Sequence, residues 1–305
     1  MTTTPGSTEP PLHERVAALT SELSTSERRV AEYMAENPAE VVAASAIELG
    51  RRTSTSDATV VRTTKALGYA GLKELKRELL GALTRQRDLA ATLDDRLDRL
   101  PGAESHYARV LDDTVGLLEH MRRRLRSQDW DRAVDVLRSA ERVLAFGLGP
   151  AGLLAEHLSL NLTRIGVDAV SSTLAGFRAA DALVNLRPGD AVVVFAPIRQ
   201  FRETGVVLDH AERVGARTVL VTESLGTALA GRVHVALTTP QSTISTASEL
   251  VGGLVISHAL VLALAAHSRA AAVERMELVN RLRAELVGSS LDILPLASPG
   301  GGGAV

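Results

Sequence analysis

Ser45-Ala46-Ile47-Glu48-Leu49-Gly50-Arg51-Arg52-Thr53-Ser54-Thr55-Ser56-Asp57-Ala58-Thr59-Val60-Val61-Arg62-Thr63-Thr64-Lys65-Ala66-Leu67-Gly68 is the stretch whose reading decides the N-terminal fold. Ser45 to Glu48 is a capping box: the serine hydroxyl and the glutamate carboxylate each satisfy a backbone donor left orphaned at a helix start. The helix it opens is short and closes near Arg52. Thr53-Ser54-Thr55 then forms a polar turn before a new start at Ser56-Asp57. The second helix carries Val60, Thr64 and Leu67 at i, i+4 and i+7, with Gly68 as its stop. Two short helices joined by a tight turn predict a helix-turn-helix. Upstream, Ser24-Thr25-Ser26-Glu27 is another capping box, opening a helix that stops at Asn37-Pro38.

With Val60, Thr64 and Leu67 turned inward, Ala58, Thr59, Arg62, Lys65 and Ala66 are expected on the outer side of the second helix. A guanidinium, a hydroxyl and small groups are what a DNA major groove accepts at close range. Ser54, Thr55 and Ser56 at the helix start are candidates for phosphate contact, and Lys73, Lys76 and Arg77 on the next helix for bracketing the backbone. Charge follows the same division. Glu22 to Gly50 holds two basic and six acidic residues, whereas Arg51 to Arg87 holds nine basic and three acidic ones, including all three lysines of the chain. Such a run marks either a phosphate-binding surface or a solvated helix face.

The residues Leu23-Ser24-Thr25-Ser26-Glu27-Arg28-Arg29-Val30-Ala31-Glu32-Tyr33, Glu48-Leu49, Ser56-Asp57-Ala58-Thr59-Val60-Val61-Arg62 and Leu67-Gly68-Tyr69-Ala70-Gly71-Leu72-Lys73-Glu74-Leu75-Lys76 resemble the N-terminal domain of RpiR/MurR-type bacterial transcriptional regulators. The resemblance covers about sixty residues. Two positions depart from it. Thr63 stands where the family usually has Phe, so base preference does not carry over. Ser54 stands where its turn usually has Gly, and it lacks the glycine's easy positive φ.

From Arg142 onward short β-branched runs alternate with helical stretches. The expected strands are Val143 to Phe146, Asp168 to Ser171, Ala191 to Phe195, Thr218 to Val221 and Val233 to Leu237, with helices such as Leu153 to Ile165 and Glu203 to Val214 between them. That alternation predicts a parallel sheet wrapped by helices, with any ligand at the carboxyl ends of the strands. Gly147-Leu148-Gly149-Pro150-Ala151-Gly152 spells the dinucleotide fingerprint. The acidic residue that such a site needs after the second strand is missing, with Ser171-Ser172-Thr173 in its place. The same glycine turn, with Leu186-Arg187-Pro188-Gly189-Asp190, Arg202-Glu203 and Gly215-Ala216-Arg217-Thr218, resembles a sugar isomerase (SIS) domain over about Ala133 to Ala266. The resemblance implies a phosphosugar loop Ser-x-Ser-Gly, but here it reads Ala196-Pro197-Ile198-Arg199, and Ala151 replaces a further serine. What remains near the expected pocket is Gly147, Gly149, Gly152, Thr173, Arg199, Gln200, Glu203, Thr222 and Ser224. Either the pocket takes an anion other than the usual phosphosugar, anchored by Arg199, or it serves assembly alone.

Composition narrows the rest. The 305 residues suggest two domains, and the absence of cysteine excludes disulfides, thiolate metal sites and a cysteine nucleophile. Aromatics at 3% argue against a base-stacking platform for single strands. His157, His210, His234, His258 and His267 show no metal spacing, and no serine sits in a nucleophile elbow. Leu250 to Ala266 is apolar, but Gly252, Gly253, Ser257 and His258 favour a buried helix over a membrane span. Residues 1–11 read as a disordered arm and not a signal peptide, which points to the cytoplasm.

The expected organisation is an all-α helix-turn-helix domain (12–87), a connector (88–105), an α/β three-layer SIS domain (106–288) and a flexible tail (289–305). Together the resemblances imply a regulator without enzymatic activity, cofactor or metal. It would bind double-stranded operator DNA, assemble as a homodimer or homotetramer, and sense an anionic effector such as a sugar phosphate or sugar acid. A sugar-phosphate isomerase with an accessory helical domain is the alternative.

Overall fold

The computed structural model describes residues 12–85, 89–98, 100, 106–198, 200–223, 225–240 and 246–287. Six helices make the N-terminal part: α1 (Leu12–Leu19), α2 (Thr25–Glu36), α3 (Pro38–Ala43), α4 (Ala46–Arg52), α5 (Asp57–Ala66) and α6 (Leu72–Arg85). Ser24 and Ser45 form the two capping boxes read in the sequence. Asn37-Pro38 ends α2 as expected, yet Pro38 also begins α3, because the first turn of a helix needs no N–H from that residue. The apolar faces converge on one core, with Val30, Met34, Leu49, Val60, Leu67 and Leu75 fully enclosed.

Part of the stretch expected as a connector is helical, since α7 spans Leu89–Asp98. Leu89, Leu93 and Leu97 recur every four residues, the spacing of one helix face, just ahead of Pro101-Gly102. Then come α8 (His106–Arg124) and α9 (Ser127–Arg138).

The sheet contains β1 (Val143–Gly147), β2 (Ala169–Ser172), β3 (Ala191–Phe195), β4 (Arg217–Thr222) and β5 (Val235–Thr238), all parallel, in the order β2-β1-β3-β4-β5. Between the strands run α10 (Pro150–Arg164), α11 (Arg178–Leu183), α12 (Arg202–Val214) and α13 (Gly226–Leu229), and after them α14 (Leu250–His267) and α15 (Arg269–Val287). β1 and β3 are buried throughout, as continuous apolar runs in a doubly covered sheet must be. Side chains alternate across the sheet. Val143, Ala145 and Val193 join a core with α8, α9, α10 and α14, while Leu144, Phe146 and Val194 join one with α11 and α12. Three layers result, and strand order reverses between β1 and β3, where open α/β sheets bind their ligands.

α14 is long and apolar enough to span a membrane by length and composition. In the fold, Gly252, Gly253, Ile256, Leu260 and Leu264 are buried in the domain core, and a Cβ on Gly253 would lie 2.4 Å from Leu154 Cδ1. Gly253 is what lets α14 approach α10 so closely, while Gly252 makes room for Thr239 after β5.

Candidate functional site

The α4–α5 turn is determined by its own hydrogen bonds. Thr53 Oγ1 donates to Leu49 O at 2.8 Å and meets Thr55 Oγ1 at 2.8 Å, and Thr55 N donates to Gly50 O at 2.8 Å. A Cβ on Gly50 would come within 2.9 Å of Thr55 O, so glycine permits the two helices to meet this tightly. Ser54, at φ 52°, is the one non-glycine residue with positive φ among the described residues. It occupies the position where the related family prefers glycine, and its exposed hydroxyl has no hydrogen-bond partner among the described residues.

Ser56 caps α5: its Oγ accepts from Thr59 N at 3.1 Å and meets Thr59 Oγ1 at 2.9 Å. Thr59, expected on the outer face, is therefore turned into the cap and buried. The cap hydroxyl and the methyl side of Thr59 find better partners inward than in solvent. Thr63 also faces the core, donating to Thr59 O at 2.9 Å. The exposed side of α5 consists of Asp57, Ala58, Val61, Arg62, Lys65 and Ala66. Val61 was missed in the sequence because it adjoins the core residue Val60; only the helical phase separates them. Lys73 and Arg77 are exposed on α6, Lys76 is half-buried, and Thr55 is partly covered.

Not every basic residue of the positive stretch is available. Arg52 pairs with Glu40 and donates to Tyr33 Oη at 3.3 Å, joining α4 to α2 and α3. Burial, followed by the hydrogen bond to Glu40, raises the Tyr33 phenol above its ordinary range. Glu27, whose carboxyl is held low by hydrogen bonds from Ser24, also feels the positive charge of Arg62.

At the carboxyl edge of the sheet, Gly147, Gly149 and Gly152 form the tight β1–α10 turn. Gly149 has φ 56°, a Cβ on Gly147 would lie 2.4 Å from Ala151 O, and one on Gly152 2.8 Å from Thr173 Cγ2. Thr173 is exposed beside that turn. Thr222, expected to offer its hydroxyl to a ligand, is buried and committed: Oγ1 donates to Pro197 O at 3.1 Å and accepts from Leu225 N at 3.0 Å. It ties the loop after β3 to the loop after β4. Glu203 Oε1 accepts from Gly176 N at 3.0 Å, which holds its carboxyl below the usual range. Gln200 is exposed; Arg199 and Ser224 lie outside the described residues. The structure thus brings together the glycine turn, Thr173, Glu203 and the β3 loop, and removes Thr222 from the polar lining. His157, His210 and His234 are engaged with Ser257, Leu183 O and Thr218.

Residues 11–86 match the helix-turn-helix domain of the rpiR family, and residues 136–267 match the SIS domain. A bifunctional protein glk of Paraburkholderia xenovorans is 30% identical over 77% of this chain and 36% of its own length. The chain spans about a third of the length of such relatives. An uncharacterized HTH-type transcriptional regulator of Haemophilus influenzae is 26% identical over 69% of this chain and 73% of its own length. Among solved structures, the Vibrio vulnificus NanR protein complexed with ManNAc-6P is 20% identical, covers 90% of this chain and 98% of its own, and has a TM-score of 0.54. The sugar isomerase domain of an RpiR transcription factor from Sphaerobacter thermophilus is 21% identical, covers 58% and 99%, and has the same TM-score. These two likenesses establish the fold of the sheet domain.

A helix-turn-helix followed by a SIS domain defines the class of two-domain protein to which these matches point. The chain belongs to the RpiR type within that class.

Proposed function

We infer that the chain binds operator DNA by placing α5 in the major groove, with Arg62 and Lys65 at base edges and Ser54, Lys73 and Lys76 toward the phosphates. The carrying observation is the exposed row Ala58, Val61, Arg62, Lys65 and Ala66 on a capped helix that opens from an over-determined turn. Small side chains beside a guanidinium permit close approach and a bidentate grip on guanine. The SIS domain assembles copies of the chain: Leu153 and Leu160 on α10, with Leu254, Val255 and Leu262 on α14, leave exposed apolar surface. Paired reading heads imply half-sites a whole number of helical turns apart. The protein works in the cytoplasm, and its sheet domain acts as a sensor without catalysing a reaction.

An anionic effector is assigned to the carboxyl edge of the sheet. NanR shows a phosphosugar in a related architecture, but here Ala151, Ala196 and Pro197 remove hydroxyls and one amide from the expected phosphate cradle. Selection of duplexes from a random pool, followed by anisotropy titrations at two salt concentrations, tests the DNA reading. Enrichment of a two-fold-related motif with a salt-dependent affinity is expected. Absence of any enriched motif would overturn it. An aldose–ketose interconversion assay tests the isomerase alternative, with no turnover expected.

A further inference from the structure

The chain has four phenylalanines, and they divide sharply. Phe146 and Phe195 are 1% and 2% exposed in the core, whereas Phe177 is 100% and Phe201 44% exposed. Both exposed rings stand at helix starts on the carboxyl side of the sheet: Phe177 precedes α11 after β2, and Phe201 precedes α12 after β3. Each is followed by an exposed arginine, Arg178 and Arg202. The two helices are tied at both ends, by Glu203 Oε1 accepting from Gly176 N at 3.0 Å and by His210 Nε2 meeting Leu183 O at 3.2 Å. The two Phe-Arg pairs therefore stand side by side, flanking the end of β1, which lies between β2 and β3. The carboxyl ends of β1 and β3 on this side of the sheet are apolar, with Leu148 half-buried and Ala196 buried in the cluster that α11 and α12 cover.

Exposed phenylalanine has no reason of its own to face water, and arginine without a paired carboxylate leaves a positive charge to be met. Neither Arg178 nor Arg202 has a salt bridge or hydrogen bond among the described residues, and the nearby Glu203 carboxylate is engaged with the Gly176 amide. We propose that this mouth recognises a small organic carboxylate carrying a flat apolar group, the group lying on Phe177 and Phe201 and the carboxylate meeting Arg178 and Arg202. The assignment rests on the sensor reading above and names its ligand class. A phosphosugar fits less well, since it offers a charged head to the apolar ends of β1 and β3 and a polar rim to two bare rings.

Calorimetric titration of the full chain with phenylacetate, acetate and glucose 6-phosphate tests this. Phenylacetate binds in saturable fashion, and acetate and glucose 6-phosphate bind at least about tenfold more weakly. Phe177→Ala with Phe201→Ala lowers phenylacetate affinity about tenfold and Arg202→Gln lowers it as well, while Phe177→Ala alone, at a fully exposed ring, weakens binding with the melting temperature of the free protein unchanged. Failure of phenylacetate to bind, binding indifferent to both Phe→Ala changes, or tighter binding of glucose 6-phosphate overturns the proposal. So does a change of oligomeric state on Phe→Ala substitution, which would mean that a second copy covers the rings. Operator affinity of the same variants without ligand, expected at the unsubstituted level, separates a failure here from a failure of the regulator reading.

Discussion

Arg29 on α2 donates from Nη2 to the carbonyl of Ser54 at 3.4 Å, so a helix outside the helix-turn-helix holds the one turn residue forced into the left-handed region. A non-glycine residue there carries a cost of about 1 kcal/mol that glycine avoids. Such strain persists where the side chain gives something in return. Ser54→Gly is expected to raise stability by roughly 0.5–1 kcal/mol, less the extra freedom that glycine adds to the unfolded chain. It should also weaken operator binding by removing a phosphate-directed hydroxyl. Urea unfolding beside anisotropy titration reads both. Unchanged affinity with higher stability would leave Ser54 without a role in binding.

Arg62 and Lys73 are expected to fail differently. Arg62→Ala should weaken specific binding by about 1–3 kcal/mol and relax one base position, the size of a bidentate guanine contact. Lys73→Ala should weaken all duplexes alike and flatten the slope of log affinity against log salt by about one unit. Competition with mutated operators at several salt concentrations distinguishes the two.

Thr59 belongs to the cap. Thr59→Val keeps the shape but deletes the hydroxyl that meets Ser56 Oγ, so α5 loses part of its N-terminal satisfaction at a cost of about 1 kcal/mol. Arg62 Nη2 also donates to Thr59 Oγ1 at 3.4 Å, so any change of motif should be confined to the base position that Arg62 reads. A lower urea midpoint is the expected result, and a motif altered at a position that Arg62→Ala leaves alone would return Thr59 to the groove.

Acid should weaken the sheet domain before the helical one. His120, His157 and His234 are held below their ordinary range chiefly by burial, with Arg123 acting on the first, His258 and Arg164 on the second, and Arg217 and Arg132 on the third. A histidine whose folded pKa is depressed binds fewer protons folded than unfolded, so its contribution is intact above about pH 6.5 and lost as pH falls below it. Glu27 and Glu48 are also depressed, through their capping hydrogen bonds to Ser24 and Ser45. Their contribution is present above about pH 4.5 and disappears only as pH falls through the lower folded value. Thermal melts from pH 7.5 to 4 should show the sheet domain's transition falling first. His234→Asn, whose Oδ1 can accept from Thr218 N in place of Nδ1, should flatten part of that fall.

The fold was legible where local chemistry and burial agree. Ser24 and Ser45 with their glutamates marked helix starts, and Ala191 to Phe195 reads as a buried parallel strand by composition alone. α11 is hard to read because a short helix with a mostly exposed surface carries little apolar periodicity, and α7 because its leucine repeat runs straight into Pro101-Gly102, which reads as a connector. The candidate site was less legible because spacing gives a helical phase but not which hydroxyls are already used. Thr59 and Thr222 look like surface hydroxyls in the sequence, and only the positions of Ser56, Pro197 and Leu225 show them committed. Phe177 and Phe201 gave no signal, since exposed aromatics look like core residues until the sheet is assembled.

The extent of the sheet domain can be tested by cutting. The matched SIS segment begins at residue 136, yet the core it needs begins earlier. Leu117 and Met121 of α8 and Ala133 and Val134 of α9 are buried with β1, β3 and α14. Asp113 on α8 accepts from Thr246 N and Thr246 Oγ1, both at 2.8 Å, and so anchors the segment leading into α14. A fragment beginning at Ser105 keeps all of this and is expected to fold, to self-associate and to lose DNA binding. One beginning at Ser127 gives up two buried side chains and the Asp113 anchor, on the order of 5 kcal/mol of stability by large-to-small precedent. It should melt far lower or fail to fold. Equal melting temperatures for the two fragments would show that α8 is dispensable and that the domain begins where the family match does.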